Sequence, residues 1–173
     1  MRMMICLLFL VLACREKSTS SGSGQTEAKA PVISESPATP GTPVTDVTMT
    51  EEFMTLINDH RVTLGLDPLT SVTGLEEIST YHSSNMASGS VAFGHTGFSE
   101  RCALGRSVLG GGNLCAENVA MGQKTVQAAF TAWMNSSGHR ANIENARVTH
   151  TGFGFAKSSS GVWYWTQIFL EKN

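Results

Sequence analysis

Residues 150–170, HTGFGFAKSSSGVWYWTQIFL, contain two segments rich in aromatic and β-branched side chains. This composition predicts one strand over residues 150–157 and a second over residues 162–170. The intervening SSSG, residues 158–161, suits a hairpin turn, so the two strands are expected to pair antiparallel.

Upstream of this hairpin, apolar residues recur at helical spacing in three segments. The first helix is predicted to start near Thr48, where Thr48 and Glu51 fit a capping box. The second runs from about Ser71 to Ser88 and the third from about Thr125 to Asn135. Residues 89–122 are Gly-rich and too long for a simple connection, so they are expected to hide further strands. Helices followed by an antiparallel strand pair predict an α+β fold.

The first residues predict export. After Met1-Arg2, the apolar run from Met3 to Leu12 has the length of a signal-peptide core and is too short to span a bilayer. It ends in Val-Leu-Ala-Cys, which resembles the lipobox of bacterial lipoproteins. We therefore predict a lipoprotein signal over residues 1–14 with Cys14 as the lipidation site. An ordinary secretory signal is the alternative.

Residues 15–48 are rich in Ser, Thr, Gly and Pro and contain no aromatic residue. Such a segment buries too little apolar surface to offset its ordering entropy, so a disordered tether is predicted. The folded domain then covers residues 49–173. Arg15 stands where an acidic residue would signal inner-membrane retention, which favours anchoring to the outer membrane or the cell surface.

The charge balance argues against one class of partner. Fourteen acidic and 12 basic residues give a formal net charge of −2. Without a basic excess to neutralise phosphates, nucleic-acid binding is not expected as the main function.

Cys102 and Cys115 are the two cysteines outside the leader. Disulfides persist in exported domains, and a bridge here would contribute roughly 3 kcal/mol in the chain-entropy model. Two free buried thiols are the alternative. Zinc ligation is less favoured, because no second pair at metal-binding spacing accompanies these cysteines.

Three residues are candidates for metal binding or catalysis. His95 and Glu117 lie in the Gly-rich, irregular segment 89–122, and His139 follows it. Histidine and carboxylate together suit a zinc site that keeps a position open for water. The same groups could instead perform acid–base catalysis. Their spacing does not show that they converge in space.

Several blocks in the chain together resemble the CAP superfamily, which includes cysteine-rich secretory proteins, insect antigen 5 and plant pathogenesis-related proteins. The blocks are LINDHR (56–61), GLDPL (65–69), HSSNMA (82–87), GHTG (94–97), AENVA (116–120), WMNSSGHRANI (133–143), GFG (152–154) and YWTQIF (164–169). They follow one another in the family's order across the whole predicted domain. Their form is that of bacterial members.

The resemblance implies a three-layer α-β-α sandwich with a central antiparallel sheet and a cleft. In eukaryotic members, two His and two Glu line this cleft and can bind a divalent metal. His95 matches the first His and Glu117 the first Glu, whereas Ser136 and Tyr164 stand at the positions of the second Glu and the second His. The predicted cleft residues are His82, His95, Glu117, Asn118, Ser136, His139 and Tyr164.

Two functions are weighed from these residues. The first is a binding module whose cleft recognises a lipid, a glycan, a peptide or a host molecule. The alternative is a hydrolase in which His95 and His139 hold zinc or another divalent metal, with Glu117 and His139 as catalytic candidates. A serine hydrolase using Ser136 or Ser137 is disfavoured, because no Gly-x-Ser-x-Gly motif is present.

Overall fold

The computed structural model describes residues 46–172, so the predicted lipobox with Cys14 and residues 15–45 of the predicted tether lie outside it. The described part contains helices and strands in mixed order. They are α1 (Asp46–Thr63), β1 (Thr70–Ser71), α2 (Thr73–Ser88), α3 (Phe98–Leu109), β2 (Cys115–Met121), α4 (Val126–Met134), α5 (Ser137–Ile143), β3 (His150–Lys157) and β4 (Trp163–Leu170).

The four strands form one sheet in the order β1-β3-β4-β2. The predicted hairpin is confirmed, since β3 and β4 pair antiparallel along their whole length. β2 pairs antiparallel with β4 and is one of the strands expected in the irregular segment. The sheet is mixed rather than purely antiparallel, because β1 runs parallel to β3 for two residues before the chain turns into α2.

Helices cover both faces of the sheet, which confirms the three-layer arrangement. α1, α4 and α5 lie on one face, and α2 and α3 lie on the other. On the first face the ring of Phe153 stacks on that of Phe53, with centroids 3.8 Å apart, beside the buried Trp133 and Trp165. This aromatic core fixes β3 and β4 beneath α1 and α4.

Gly152 and Gly154 on β3 allow α2 to lie directly against the opposite face of the sheet. A Cβ atom on either glycine would stand 2.1 Å from a backbone atom of α2. Two hydrogen bonds join the helix to the strand. Ser79 Oγ donates to the Gly152 carbonyl (2.9 Å), and Ser83 Oγ donates to the Gly154 carbonyl (3.1 Å). The position of α2 therefore depends on these two residues having no side chain.

A disulfide joins Cys102 on α3 to Cys115 at the start of β2, which confirms the predicted pair. It ties α3 to the edge strand of the sheet across a sequence separation of 13 residues. Within residues 46–172, no helix combines the length and apolar content that crossing a membrane requires.

Candidate functional site

A buried ion pair forms the base of the candidate site on β2. The Arg101 guanidinium donates from Nε to Glu117 Oε2 (2.6 Å) and from Nη2 to Glu117 Oε1 (2.8 Å). Both side chains are buried, with 8% of Arg101 and 1% of Glu117 exposed. Two charge-assisted hydrogen bonds in this geometry neutralise the carboxylate and hold it in place.

His95 extends the pair towards solvent. Its Nδ1 lies 2.8 Å from Glu117 Oε1, while 51% of its side chain is exposed. Because an ionised carboxylate only accepts hydrogen bonds, Nδ1 carries the proton and donates it to Glu117. In the neutral ring, the remaining nitrogen Nε2 is then a hydrogen-bond acceptor at the protein surface.

His82 supports the loop that carries His95. It is buried on α2, and its Nε2 donates to the carbonyl oxygen of Gly94 over 2.8 Å. Burial is the main cause that lowers the pKa of His82, and the hydrogen bond to Gly94 opposes that shift. The neutral ring of His82 therefore holds the backbone of Gly94, the residue before His95, in place.

Asn118 connects the other face of β2 to α5. Neighbouring strand residues point to opposite faces, so Asn118 points away from the side that holds Glu117. Its amide nitrogen donates to the His139 carbonyl (3.1 Å), and its amide oxygen accepts from Asn142 Nδ2 (2.9 Å). The Asn118 side chain thus fixes the helix that bears His139.

His139 is half-buried on α5, with its ring centroid 6.5 Å from that of Trp133. Burial is the main cause that lowers the pKa of His139, and the nearby charge of His95 lowers it further. His95 and His139 are therefore within electrostatic range of each other at the edge strand β2.

Ser136 and Tyr164 are the other two residues predicted to line the cleft. Ser136 caps the N-terminus of α5, and its carbonyl accepts from the Arg140 backbone nitrogen. Tyr164 lies opposite Met121, four residue pairs from Glu117 along the ladder, or about 13 Å. No hydrogen bond or ion pair within residues 46–172 joins either residue to His95 or Glu117. Their place in the cleft remains a prediction.

A metal site with three protein ligands does not fit these residues. Within residues 46–172, no three His, Cys, Asp or Glu side chains come together in a way that could hold a metal ion. The Glu117 carboxylate is already engaged by Arg101 and His95, which leaves the two imidazoles of His95 and His139. Metal binding by this pair stays a prediction from the sequence.

The sequence did not reveal which residue pairs with Arg101. A signal for it was available, however. Arg101 precedes Cys102, and Glu117 follows Cys115 by two residues, so the disulfide itself brings the guanidinium and the carboxylate together.

Lowering the pH is expected to destabilise the protein below about pH 6.5. The pKa values of His82 and His139 are lowered in the folded state, mainly by burial, so the unfolded chain binds protons first as the pH falls. Each excess proton lowers the free energy of unfolding by about 1.4 kcal/mol per pH unit. Urea unfolding at pH 7.5 and pH 5.5 measures this change. His82→Gln should reduce it more than His60→Gln, which removes a part-buried histidine that pairs with Glu144. Equal effects would contradict the assignment.

The sequence model of the cysteine-rich secretory protein family, CAP, matches residues 54–169. A shorter stretch of 56 residues is 52% identical to the uncharacterized protein YkwD of Bacillus subtilis, covering 32% of this chain and 21% of that protein. The similarity to the family therefore extends over most of the described domain.

Solved structures show the same fold. They include a cysteine-rich secretory protein from Staphylococcus aureus (TM-score 0.59, 22% identity, 75% of this chain and 41% of that one). An extracellular protein containing a SCP domain from Bacillus anthracis gives a TM-score of 0.60 at 26% identity, covering 76% of this chain and 45% of that one. An outer surface protein from Borrelia burgdorferi gives 0.57 at 22% identity, covering 72% and 96%.

This chain spans less than half the length of the Staphylococcus and Bacillus proteins, so the match to them concerns one domain. Within that domain, the fold agrees with what the sequence blocks implied. The chain belongs to the cysteine-rich secretory protein (CAP) family.

Proposed function

We propose that this chain is an exported, lipid-anchored recognition protein whose cleft at His95 and His139 binds a neutral polar ligand, such as an envelope glycan, without a metal. The observation that carries the proposal is that the charge of the Glu117 carboxylate is already paired inside the protein. This buried carboxylate accepts from Arg101 twice and from His95 once, so its charge is balanced within the protein.

The cleft therefore offers hydrogen-bonding groups with little net charge. A neutral imidazole has one donor and one acceptor nitrogen. The lowered pKa of His139 keeps its ring neutral at physiological pH, and the exposed face of His95 offers Nε2 as an acceptor. Sugar hydroxyl and amide groups match such a surface, whereas a strongly charged ligand would find no counter-charge there.

The location outside the cytoplasm is supported by two observations. The N-terminal apolar run is followed by Ala13 and Cys14, an arrangement that resembles bacterial lipoprotein signals. The Bacillus anthracis and Borrelia burgdorferi proteins of the same fold are described as an extracellular protein and an outer surface protein. On this proposal, acyl chains at Cys14 anchor the domain to the membrane.

A metal-dependent hydrolase is the second candidate, and one observation favours it. Histidines that bind zinc commonly donate their other ring N–H to a carboxylate, as His95 does to Glu117. Glu117 would then orient His95 and could not serve as the catalytic base, because Arg101 occupies both of its oxygens.

Two titrations of the purified full chain separate these candidates. Adding the N-acetylglucosamine tetramer should shift the imidazole NMR signals of His95 and His139, and His95→Ala should abolish binding. His60→Ala, a histidine beside Glu144 outside the cleft, is the matched control. Absence of any shift would contradict a glycan ligand.

The second titration adds zinc chloride in a calorimeter. The proposal predicts no saturable binding at micromolar zinc. Saturable binding that is lost in both His95→Ala and His139→Ala would overturn the metal-free cleft and make the hydrolase the better account.

A further inference from the structure

Within residues 46–172, the outer edge of β3 is only partly covered. β1 pairs with β3 at two positions, Thr70 with His150 and Ser71 with Thr151, and the chain then turns into α2. Among the described residues, no strand lies beside the remaining 152–157 segment on that side. An uncovered strand edge presents backbone N–H and C=O groups that can pair with another chain.

The hydrogen bonds to β1 indicate which backbone groups of β3 face outward. The backbone nitrogen of Val72 donates to the Thr151 carbonyl, so residue 151 directs its backbone groups to this edge. Outward and inward groups alternate along a strand. The backbone groups of Phe153, Phe155 and Lys157 therefore point to the same edge beyond the end of β1.

A groove runs along this edge between α1 and α2. Its cavity measures about 780 Å³, and Met54, Phe153 and Phe155 contribute to its apolar lining. A smaller cavity of about 440 Å³ borders the same α2 residue, Ser84, and continues along β3 to Lys157. The two cavities together follow the uncovered edge from the end of β1 towards the hairpin.

The main cavity is acidic at its border. Glu51 on α1 and Glu76 and Glu77 on α2 line it, and no lysine or arginine does. Carboxylates on both sides of an apolar groove favour an occupant that carries positive charge.

The segment that precedes α1 is a poor occupant of this groove. Prolines stand at positions 31, 37, 40 and 43, and proline has no N–H to donate to a strand ladder. The segment also has no basic excess, since Arg15, Lys17 and Lys29 are offset by Glu16, Glu27 and Glu35. A strand from another polypeptide suits the groove better.

We propose that the groove between α1 and α2 docks an extended, basic segment of another protein, which pairs as a strand with the outer edge of β3 at residues 153–157. Backbone hydrogen bonds supply much of the affinity in this mode of recognition, and side-chain pockets supply the selectivity. Valine-sized side chains contact Phe155 and Met54, and cationic side chains meet Glu51, Glu76 and Glu77. β4 separates β3 from β2, so this surface is distinct from the His95 cleft.

The test uses the purified full chain and a fluorescein-labelled heptapeptide of alternating lysine and valine. Fluorescence anisotropy should show saturable binding, and Glu51→Lys should weaken it about ten-fold, a change of about 1.4 kcal/mol. Glu52→Lys, the neighbouring exposed residue outside the groove, is the matched control and should bind as the wild type does. His95→Ala should also leave binding unchanged, which separates this proposal from the proposed function.

Amide hydrogen exchange followed by NMR gives the second readout. The amide protons of Phe153 and Phe155 should exchange readily in the free chain and become protected when the heptapeptide is bound. A heptapeptide with N-methylated valines lacks donors on one edge and should bind at least ten-fold more weakly.

Four results would overturn the proposal. They are no binding at 1 mM heptapeptide (roughly −4 kcal/mol or weaker), equal weakening by Glu51→Lys and Glu52→Lys, binding without protection of the Phe155 amide, and full protection of that amide in the free chain. The last result would mean that another segment already covers the edge.

Discussion

Gly154→Ala is expected to lower the free energy of unfolding by about 3 kcal/mol or more, and its protein should be largely recovered as aggregate. The added Cβ would stand 2.1 Å from the backbone nitrogen of Thr80. A backbone atom cannot rotate away as a side chain can, so α2 must move off β3 as a unit. That movement would also break the hydrogen bond from Ser83 Oγ to the residue 154 carbonyl.

Gly138→Ala provides the matched control for this change. Gly138 lies in α5, and a Cβ atom there would meet nothing within 4 Å. Alanine in a helix interior is more favourable than glycine by about 1 kcal/mol, so this variant should be as stable as the wild type or more stable. Urea unfolding followed by circular dichroism measures both. A Gly154→Ala protein of wild-type stability would contradict the close approach of α2.

Arg61→Met is expected to cost about 3 kcal/mol or more of unfolding free energy. The Arg61 side chain is buried at the end of α1, where it donates to four backbone carbonyls. These belong to Asp67 (2.8 Å), Ile143 (2.7 Å), Asn145 (3.0 Å) and Val148 (3.4 Å). Methionine fills a similar volume but leaves the four acceptors without this donor.

The effect of Arg61→Met should also reach the site, because residues 143–148 comprise the last residue of α5, the helix that bears His139, and the loop that follows it. The imidazole NMR signals of His139 should therefore change in this variant. Arg147→Met is the control, since Arg147 forms an exposed ion pair with Glu171 that is worth less than about 1 kcal/mol. Similar losses of stability in the two arginine variants would refute the structural role of Arg61.

The helices that the sequence predicted well are those with an apolar face. α4 buries Val126, Ala129 and Trp133, whose spacing matches a helical period, and it ends within a residue of its expected bounds. α1 begins at Asp46, two residues before the expected start at Thr48. Helix ends commonly shift by that amount, because capping geometry decides them.

α3 and α5 were not predicted, and their buried residues explain why. α3 buries Arg101, Cys102 and Gly105, which form no apolar stripe, because its inner face meets an ion pair and a disulfide. α5 has seven residues and buries Ile143 alone. Periodicity cannot find a helix whose packing is polar or whose length is below two turns.

At the site, the family resemblance placed His95 and Glu117 in one cleft but did not predict their contact or the arginine that holds Glu117. The sequence names no partner for either Arg61 or Arg101. Arg101 pairs with Glu117, whereas Arg61 binds carbonyl oxygens. The difference comes from tertiary packing: the disulfide places Arg101 beside β2, and the end of α1 places Arg61 beneath the loop after α5.

The ion pair of Arg101 and Glu117 also limits how this sequence can drift over generations. Replacing either partner alone leaves the other charge buried and uncompensated, which typically costs 3–5 kcal/mol. A protein with an ordinary stability margin of about 5–15 kcal/mol would lose much of it in that single step. Lineages should therefore keep both residues or exchange both together, so that a change at position 101 in a descendant foretells one at position 117.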